Sequence, residues 1–377
     1  MHFLEHCANH LAIRPLTVGL PDGMLPRGDR GLPLSIDEKP PARRKPATIK
    51  TIAKDVGLSI STVSRALQQD PAVKSETRQL INEAADRLGY RRDFRGVNLR
   101  TGRTFTLCAL LTSLPASAEF GDPAMMSFIQ GLLSGVSGTP FKVVIRPVES
   151  VEEQLAACRD AVVDGRFDGI LLDHTEPQDP RVLYLLEHGI PFITFGRTEL
   201  YSEHPYFDID NEDAAYQATR HLIEKGHKRI ALIDPPQRFL FTGQRHRGYK
   251  RAMEEAGVPY DPKLVAEMGI GIRSVRDRVA KLLKLEDRPT GFVTSNEIAT
   301  IGTLGACRTL SRKELGQCGF VSRDGTTLFD YLEPPVSSLY YPLLEAGKRL
   351  SAALVAAVEG RPATELQWLE RARLVVR

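Results

Sequence analysis

The stretch TIKTIAKDVGLSISTVSRALQQDPAVKSETRQLINEAADRLGY, residues 48–90, decides how the chain is read. Thr48 has the side chain to cap a helix over about 49–56, on which Ile49, Ile52, Ala53 and Val56 share one face. Gly57 tolerates the left-handed conformation that closes a helix, and Leu58 carries apolar character through the turn. Ser59 or Ser61 can cap a second helix over about 61–68. Two short helices joined by a tight glycine turn form a helix-turn-helix. The second helix carries Ser61, Thr62, Ser64, Arg65 and Gln68. Short polar side chains with an arginine can reach base edges when such a helix lies in the major groove. A third helix is predicted over about 75–88, with Leu80, Ile81, Ala84, Ala85 and Leu88 at helical spacing and Gly89 past its end.

Charge points the same way. The whole chain of 377 residues is nearly balanced at +3. Residues 46–104 hold eleven lysines and arginines against six acids, a net +5, so everything outside them sums to −2. Positive charge gathered on one small unit is expected of a nucleic-acid-binding module. The bland alternative is a three-helix bundle that binds protein, and the charge weighs against it.

Either side of this unit the chain changes character. Residues 1–45 hold Pro15, Pro21, Pro26, Pro33, Pro40 and Pro41, no sustained apolar period, and a closing Arg43-Arg44-Lys45 run. They read as a disordered leader, or as a mis-assigned start with translation beginning at a later residue such as Met24. From about 105 onward, short apolar runs recur, among them FTLCALL (105–111), GILLD (169–173), RIALID (229–234) and GFVTS (291–295). Helical-period stretches such as EEQLAACRDAVV (152–163) and LLEAGKRLSAALVAAVEG (343–360) lie between them. Strands alternating with helices imply βαβ units and parallel sheets. The repeats are too many for one small sheet, so two doubly wound subdomains with a cleft between them are expected.

Several function classes find no support. No stretch approaches the roughly 18 consecutive apolar residues of a membrane span, and the N-terminus lacks a signal peptide's pattern. The five cysteines, Cys7, Cys108, Cys158, Cys307 and Cys318, are scattered and never form a CxxC pair, as expected of thiols in a reducing cytoplasm. The chain has no GxSxG, HExxH, P-loop or GxGxxG string, and its nine histidines show no metal-ligand spacing. The reading is of a non-enzyme without cofactor or metal.

Residues 48–90 closely resemble the DNA-binding headpiece of the lactose-repressor/galactose-repressor (LacI/GalR) family. STVSRAL (61–67) and the SETR…LGY…LRTGRT succession ending at Thr104 carry the resemblance, which extends over about 48–377. It implies a headpiece at 46–91, a hinge at 92–104, and a periplasmic-binding-protein-like core at 105–377 that binds effector and dimerises. By the family's pattern Ile60, Ser61 and Arg65 match base-reading positions, and Thr48, Ser59, Thr62, Ser64 and Thr77 are candidate phosphate contacts. Leu99, in DFRGVNLR (93–100), matches the hinge leucine that wedges into the minor groove. The hinge departs from the family at Arg92, Gly96 and Val97, and a mid-helix glycine costs about 1 kcal/mol against alanine.

Core motifs also match. FDIDNEDAAYQATRHLIEKGHKRIALI (207–233), RHRGYKRAMEEAG (245–257) and RPTGFVTSNEIATIG (288–302) resemble the family's effector domain, with Glu297 in place of its aspartate. Ligands of open α/β sheets bind beyond the carboxyl ends of strands. Sugar hydroxyls need planar donors and acceptors, which arginine and carboxylate supply. Arg245 and Glu297 are therefore the leading effector-site residues, followed by Asp173, Arg197 and Asp324. Phe120, Phe195 and Phe239 can supply walls, though core packing explains each as well. The resemblance implies a homodimer on a near-palindromic operator in double-stranded DNA, regulating sugar-utilisation genes, most simply as a repressor, in response to a small carbohydrate. With no heptad tail after residue 377, a dimer is expected over a coiled-coil tetramer. The alternative is a periplasmic-type sugar-binding protein of a transport system.

Overall fold

A computed structural model describes residues 47–67, 70–90, 102–112, 123–148, 151–268, 271–324 and 327–377. It divides into two units, with the boundary after Arg92. The expected leader (1–45), Gln68, hinge residues 92–101 with Leu99, and Phe120 lie outside the described residues.

Among the described residues the first unit is three helices, α1 (Ile49–Val56), α2 (Ile60–Leu67) and α3 (Ser75–Arg87). Thr48 and Thr51 form a reciprocal cap, each accepting from the other's backbone N–H, at 3.3 and 3.2 Å. Gly57 closes α1 at φ 68°, a conformation that costs a side chain about 1–2 kcal/mol. Of the two serines open to cap the second helix, Ser59 does so, accepting from the Thr62 N–H at 3.1 Å, and the helix starts one residue earlier than its spacing suggested. Ile52, Val63, Ala66 and Ile81 are fully buried between the helices. Leu80, expected on the apolar face of α3, is instead half exposed.

The second unit holds two six-stranded sheets. The first contains β1 (Thr106–Thr112), β2 (Lys142–Val148), β3 (Gly169–Leu172), β4 (Phe192–Phe195) and β5 (Tyr206–Ile209). The second contains β6 (Ile230–Asp234), β7 (Val265–Glu267), β8 (Gly291–Thr294), β9 (Gly319–Asp324) and β10 (Ser337–Tyr340). Two C-terminal strands complete them, β11 (Gln367–Glu370) and β12 (Arg373–Val375). The orders are β11-β5-β4-β3-β1-β2 and β12-β10-β9-β8-β6-β7, every pair parallel except β10 with β12. The chain thus passes three times between the sheets. β4, which comes from IPFITFGR (190–197), is followed outward by β5 and β11.

Helices cover both faces of each sheet. In chain order they are α4 (Pro123–Gly135), α5 (Val151–Asp164), α6 (Pro180–Glu187), α7 (Asn211–Glu224), α8 (Leu240–Glu255), α9 (Ile272–Leu282), α10 (Glu297–Cys307), α11 (Arg312–Leu315) and α12 (Leu343–Val358). Cys108, Ile170, Ala157 and Val182 form the layer under α5 and α6, while Leu107, Leu171, Phe128 and Leu350 form the opposite one under α4 and α12. β3 is buried at every residue, as befits a parallel strand covered on both faces. Cys108, Cys158 and Cys307 are free and buried, and Cys318 is free and half-buried.

Candidate functional site

On the first unit, the face of α2 opposite its buried Val63 and Ala66 carries the residues expected to read DNA. Ile60 is half exposed, an apolar side chain left out of the core, and Ser61 is exposed beside it. The Ser59 hydroxyl lies 2.8 Å from those of Ser61 and Thr62, so three candidate DNA contacts already orient one another. Arg65 is exposed, and its Nε donates to Asp70 Oδ2 at 2.9 Å. The Ala72 N–H and Arg65 hold the Asp70 carboxyl below its ordinary value. Thr48 is exposed, with its hydroxyl engaged in the cap, and Ser64 and Thr77 are half-buried.

On the second unit, strand ends bring the effector candidates to the carboxyl edges of the two sheets. Arg245 lies in the second turn of α8. It is 5% exposed. Its Nε donates to Asp234 Oδ2 at 2.9 Å, and its terminal nitrogen lies 2.8 Å from Oδ1. The guanidinium also sits over the Phe241 ring, 4.6 Å from its centre. Burial pushes the Asp234 carboxyl up to about 6, against the pull of Arg245. Glu297 is buried at the first position of α10, and Asn296 caps that helix by accepting from the Ala299 N–H at 2.9 Å. Burial and the like charge of Arg245 draw Arg323 down to about 10, while Glu297, Asp208 and Asp234 work the other way. The second sheet's edge therefore gathers two guanidiniums and two carboxylates, with Asp234, Arg245 and Glu297 buried and Arg323 half-buried.

The first sheet answers with two more carboxylates. Asp173, buried after β3, accepts from the Thr112 N–H and hydroxyl at 3.0 Å and faces His174 Nδ1 at 3.0 Å. Burial works to raise its carboxyl, but His174, the Thr112 N–H and Arg181 outweigh burial and hold it below its usual value. Arg197, after β4, donates from Nε to the buried Asp208 of β5 at 2.8 Å. Burial raises the Asp208 carboxyl, offset only in part by Arg197. Phe239 and Phe241 stack with centroids 5.4 Å apart, and His174 meets the edge of both. Phe195 instead stacks on Phe128, in the core. Asp324 is placed only by register, opposite Tyr340 at the end of β9.

Sequence reasoning missed Asp234, Asp208, Arg323 and Phe241. Asp234 carried a usable signal, since it closes the apolar run RIALID where a strand's carboxyl end was already expected. Among the described residues no three His, Cys, Asp or Glu side chains cluster as metal ligands, and no helix is long and apolar enough to cross a membrane.

The family described as bacterial regulatory proteins, lacI family, matches residues 48–93, and the periplasmic binding protein-like domain matches 219–377. The HTH-type transcriptional regulator AglR of Rhizobium meliloti is 30% identical over 348 residues, covering 88% of this chain and 94% of that one. The chain belongs to the lacI family of bacterial regulators. CelR of Thermobifida fusca, another HTH-type transcriptional regulator, is 29% identical across 89% of this chain and 98% of its own. A structure described as a CelR–cellobiose complex superposes with TM-score 0.66 at 26% identity, covering 88% and 99% of the two chains. These relatives share headpiece and core together, so the lacI-family chain is a DNA-binding transcriptional regulator rather than the binding component of a transporter.

The lacI-family motifs also acquire physical reasons. In R-x-x-G-Y, a Cβ on Gly248 would fall 2.0 Å from the Glu212 carbonyl oxygen, so glycine lets α8 lie against the start of α7. Tyr249, fully buried, donates to the Ile230 carbonyl at 2.8 Å. In the D-N pair, Asp210 caps α7 by accepting from the Asp213 N–H, and Asn211 donates to Ile209 and Asp208.

Proposed function

We propose that this regulator binds a near-palindromic operator as a homodimer in the cytoplasm and represses sugar-utilisation genes, releasing DNA when a small carbohydrate enters the core. Its headpiece spans 46–91, its hinge 92–104, and its effector and dimerisation core 105–377. Ile60, Ser61 and Arg65 read bases. Thr48, Ser59, Thr62, Ser64 and Thr77 contact phosphates, and Leu99 wedges the minor groove. Arg245, Glu297, Asp173, Arg197, Asp324 and Phe120 serve the effector, joined by Asp234 and Arg323.

One observation carries the sugar reading. Arg245, Asp234, Glu297 and the half-buried Arg323 form a set of planar donors and acceptors at strand carboxyl ends, beside the stacked Phe239 and Phe241. Hydroxyls that both donate and accept match such a set. CelR, a relative over nearly the whole chain, has been captured with cellobiose, which supports the same class of effector. The relatives are transcriptional regulators, and we assign the core no catalytic role. Gel shifts with the DNA upstream of its own gene cluster, with and without cellobiose and other small sugars, test the proposal. Salt-sensitive binding weakened by one of the sugars is expected. A dimeric sample that shows no salt-sensitive binding to that DNA overturns it.

A further inference from the structure

We propose that Arg181 is a positioning residue of the effector response, holding the turn after β3 in the shape that joins the two halves of the core. The inference rests on the reading of the cleft as the effector site. Arg181 is the second residue of α6 and is fully buried. Its Nε and one terminal nitrogen donate to the two oxygens of the buried Asp179, at 2.9 and 2.6 Å. The same terminal nitrogen reaches the backbone carbonyls of Asp173 and His174, each at 3.1 Å. Its other terminal nitrogen is buried with no partner among the described residues. Replacing a buried ion pair by apolar side chains of similar volume is often neutral or stabilising, and an orphaned donor adds a further cost. Stability therefore does not account for the pair, and its role lies in the geometry that it imposes.

The guanidinium holds a turn that side chains resist. His174 sits at φ 49°, in the left-handed region where a Cβ crowds its own backbone. Strain of this kind persists only where the surroundings enforce it, and it gathers at functional sites. The turn follows β3 of the first sheet, whereas Phe239, Leu240 and Phe241 open α8, which follows β6 of the second. The two meet. The His174 ring lies against Phe239 and Phe241, with centroids 5.3 and 5.5 Å away, and its Nδ1 is 3.0 Å from Asp173 Oδ2. The carbonyl of the buried Thr175 accepts from the Leu240 N–H at 2.9 Å, and its hydroxyl donates to the Arg197 carbonyl at 2.7 Å. A run of contacts thus leads from Asp173 through His174 and Phe241 to Arg245, whose guanidinium lies over the Phe241 ring. The exposed Arg238, 3.7 Å from Glu152 and 4.0 Å from Glu176, adds little to this join, since exposed ion pairs are weak. A ligand that favours one arrangement of the halves works with or against the join, so the side chain that shapes the turn sets how strongly the two halves answer each other.

Hydrogen exchange of the full-length protein, read by mass spectrometry, tests this beside gel shifts with cellobiose and the DNA upstream of the gene cluster. Arg181→Lys keeps the charge but loses the planar fork. Asp179→Asn combined with Arg181→Met removes both charges, keeps an oxygen to cap α6, and serves if the single variant fails to fold, which thermal melting checks. In wild type the Leu240 amide is expected to be protected. In the variants its exchange is expected to rise by about ten-fold or more, while the amides of β3 and β6 stay as slow as in wild type. The factor by which cellobiose weakens DNA binding is expected to fall by about five-fold, because a slack turn no longer ties the ligand contacts of one half to the other. The proposal is overturned if the Leu240 amide exchanges freely in wild type or if the folded variants leave its exchange unchanged. It is equally overturned if exchange rises evenly over the core, as a loss of stability alone would give, or if the turn loosens and the effect of cellobiose stays the same. Failure of the effector reading looks different. Wild-type DNA binding would then answer no sugar, and hydrogen exchange in the variants would decide the role of Arg181 by itself.

Discussion

At the scale of single residues, Arg65 and Arg245 occupy opposite situations. Arg65 is exposed and lightly tethered to Asp70, so it can leave that partner for a base edge. Arg65→Ala is expected to weaken operator binding by about 1–3 kcal/mol, the worth of one good base contact, with effector binding unchanged. Fluorescence anisotropy at fixed salt reads both. Arg245 is buried on Asp234, and Arg245→Ala is expected to leave operator binding intact and abolish the effector response. A normal response in that variant would misplace the effector site. Asp234 itself gives a pH dependence. Its carboxyl, raised from 3.8 to about 6, keeps its proton longer in the folded chain than in the unfolded one. Its contribution to stability therefore falls as pH rises between those values and is level above them. Thermal melts are expected to show wild type losing ground to Asp234→Asn between about pH 4 and pH 6. The placement of Arg245 and Glu297 near strand carboxyl ends was legible because motifs and apolar runs mark it. Asp208 and Arg323 were not, because only tertiary packing brings residues from different strands around one buried site.

At the scale of elements, legibility followed local chemistry. The first helix was readable to the residue because Thr48 and Gly57 set its ends without help from the rest of the fold. Apolar runs announced β1, β2, β3, β4, β6, β8 and β9, but not β5, β7, β10, β11 and β12, which have three or four residues each and little apolar pattern of their own. β11 pairs with β5, some 160 residues earlier in the chain, and no local period reports a partner so distant. The start of α8 leaves no mark in the sequence, because Phe239 at its N-cap supplies no capping side chain. Close helix contact makes a prediction here. With Gly248 pressed on the Glu212 carbonyl, Gly248→Ala must push α8 from α7, and overpacking of this kind costs about 1–3 kcal/mol. Denaturant melts of the core transition are expected to show that loss, and an unchanged midpoint would mean that the two helices separate freely.

At the scale of the whole molecule, the sequence separates two jobs by charge. A net +5 sits on about sixty residues that contain the helix-turn-helix, and −2 on all the rest. Attraction to DNA is thereby concentrated on the unit that reads it, while the core adds slight repulsion and so does not hold DNA unspecifically. If a neutral sugar releases the DNA as proposed, it must act through conformation rather than charge, since it leaves the field of the protein unchanged. That requirement fixes a quantitative test. If one arrangement of the core favours operator and another favours sugar, the factor by which saturating sugar weakens operator binding equals the factor by which saturating operator weakens sugar binding. Salt acts on the two differently. Raising it lowers operator affinity along a steep logarithmic slope set by the phosphates contacted, but sugar affinity of the free protein hardly at all. The coupling factor, a ratio of two operator affinities at one salt concentration, is expected to stay constant while the affinities themselves fall. Anisotropy titrations at several salt concentrations measure it. A coupling factor that shrinks with salt in step with operator affinity would show that the sugar acts by loosening phosphate contacts directly, and would exclude a two-state core as the link.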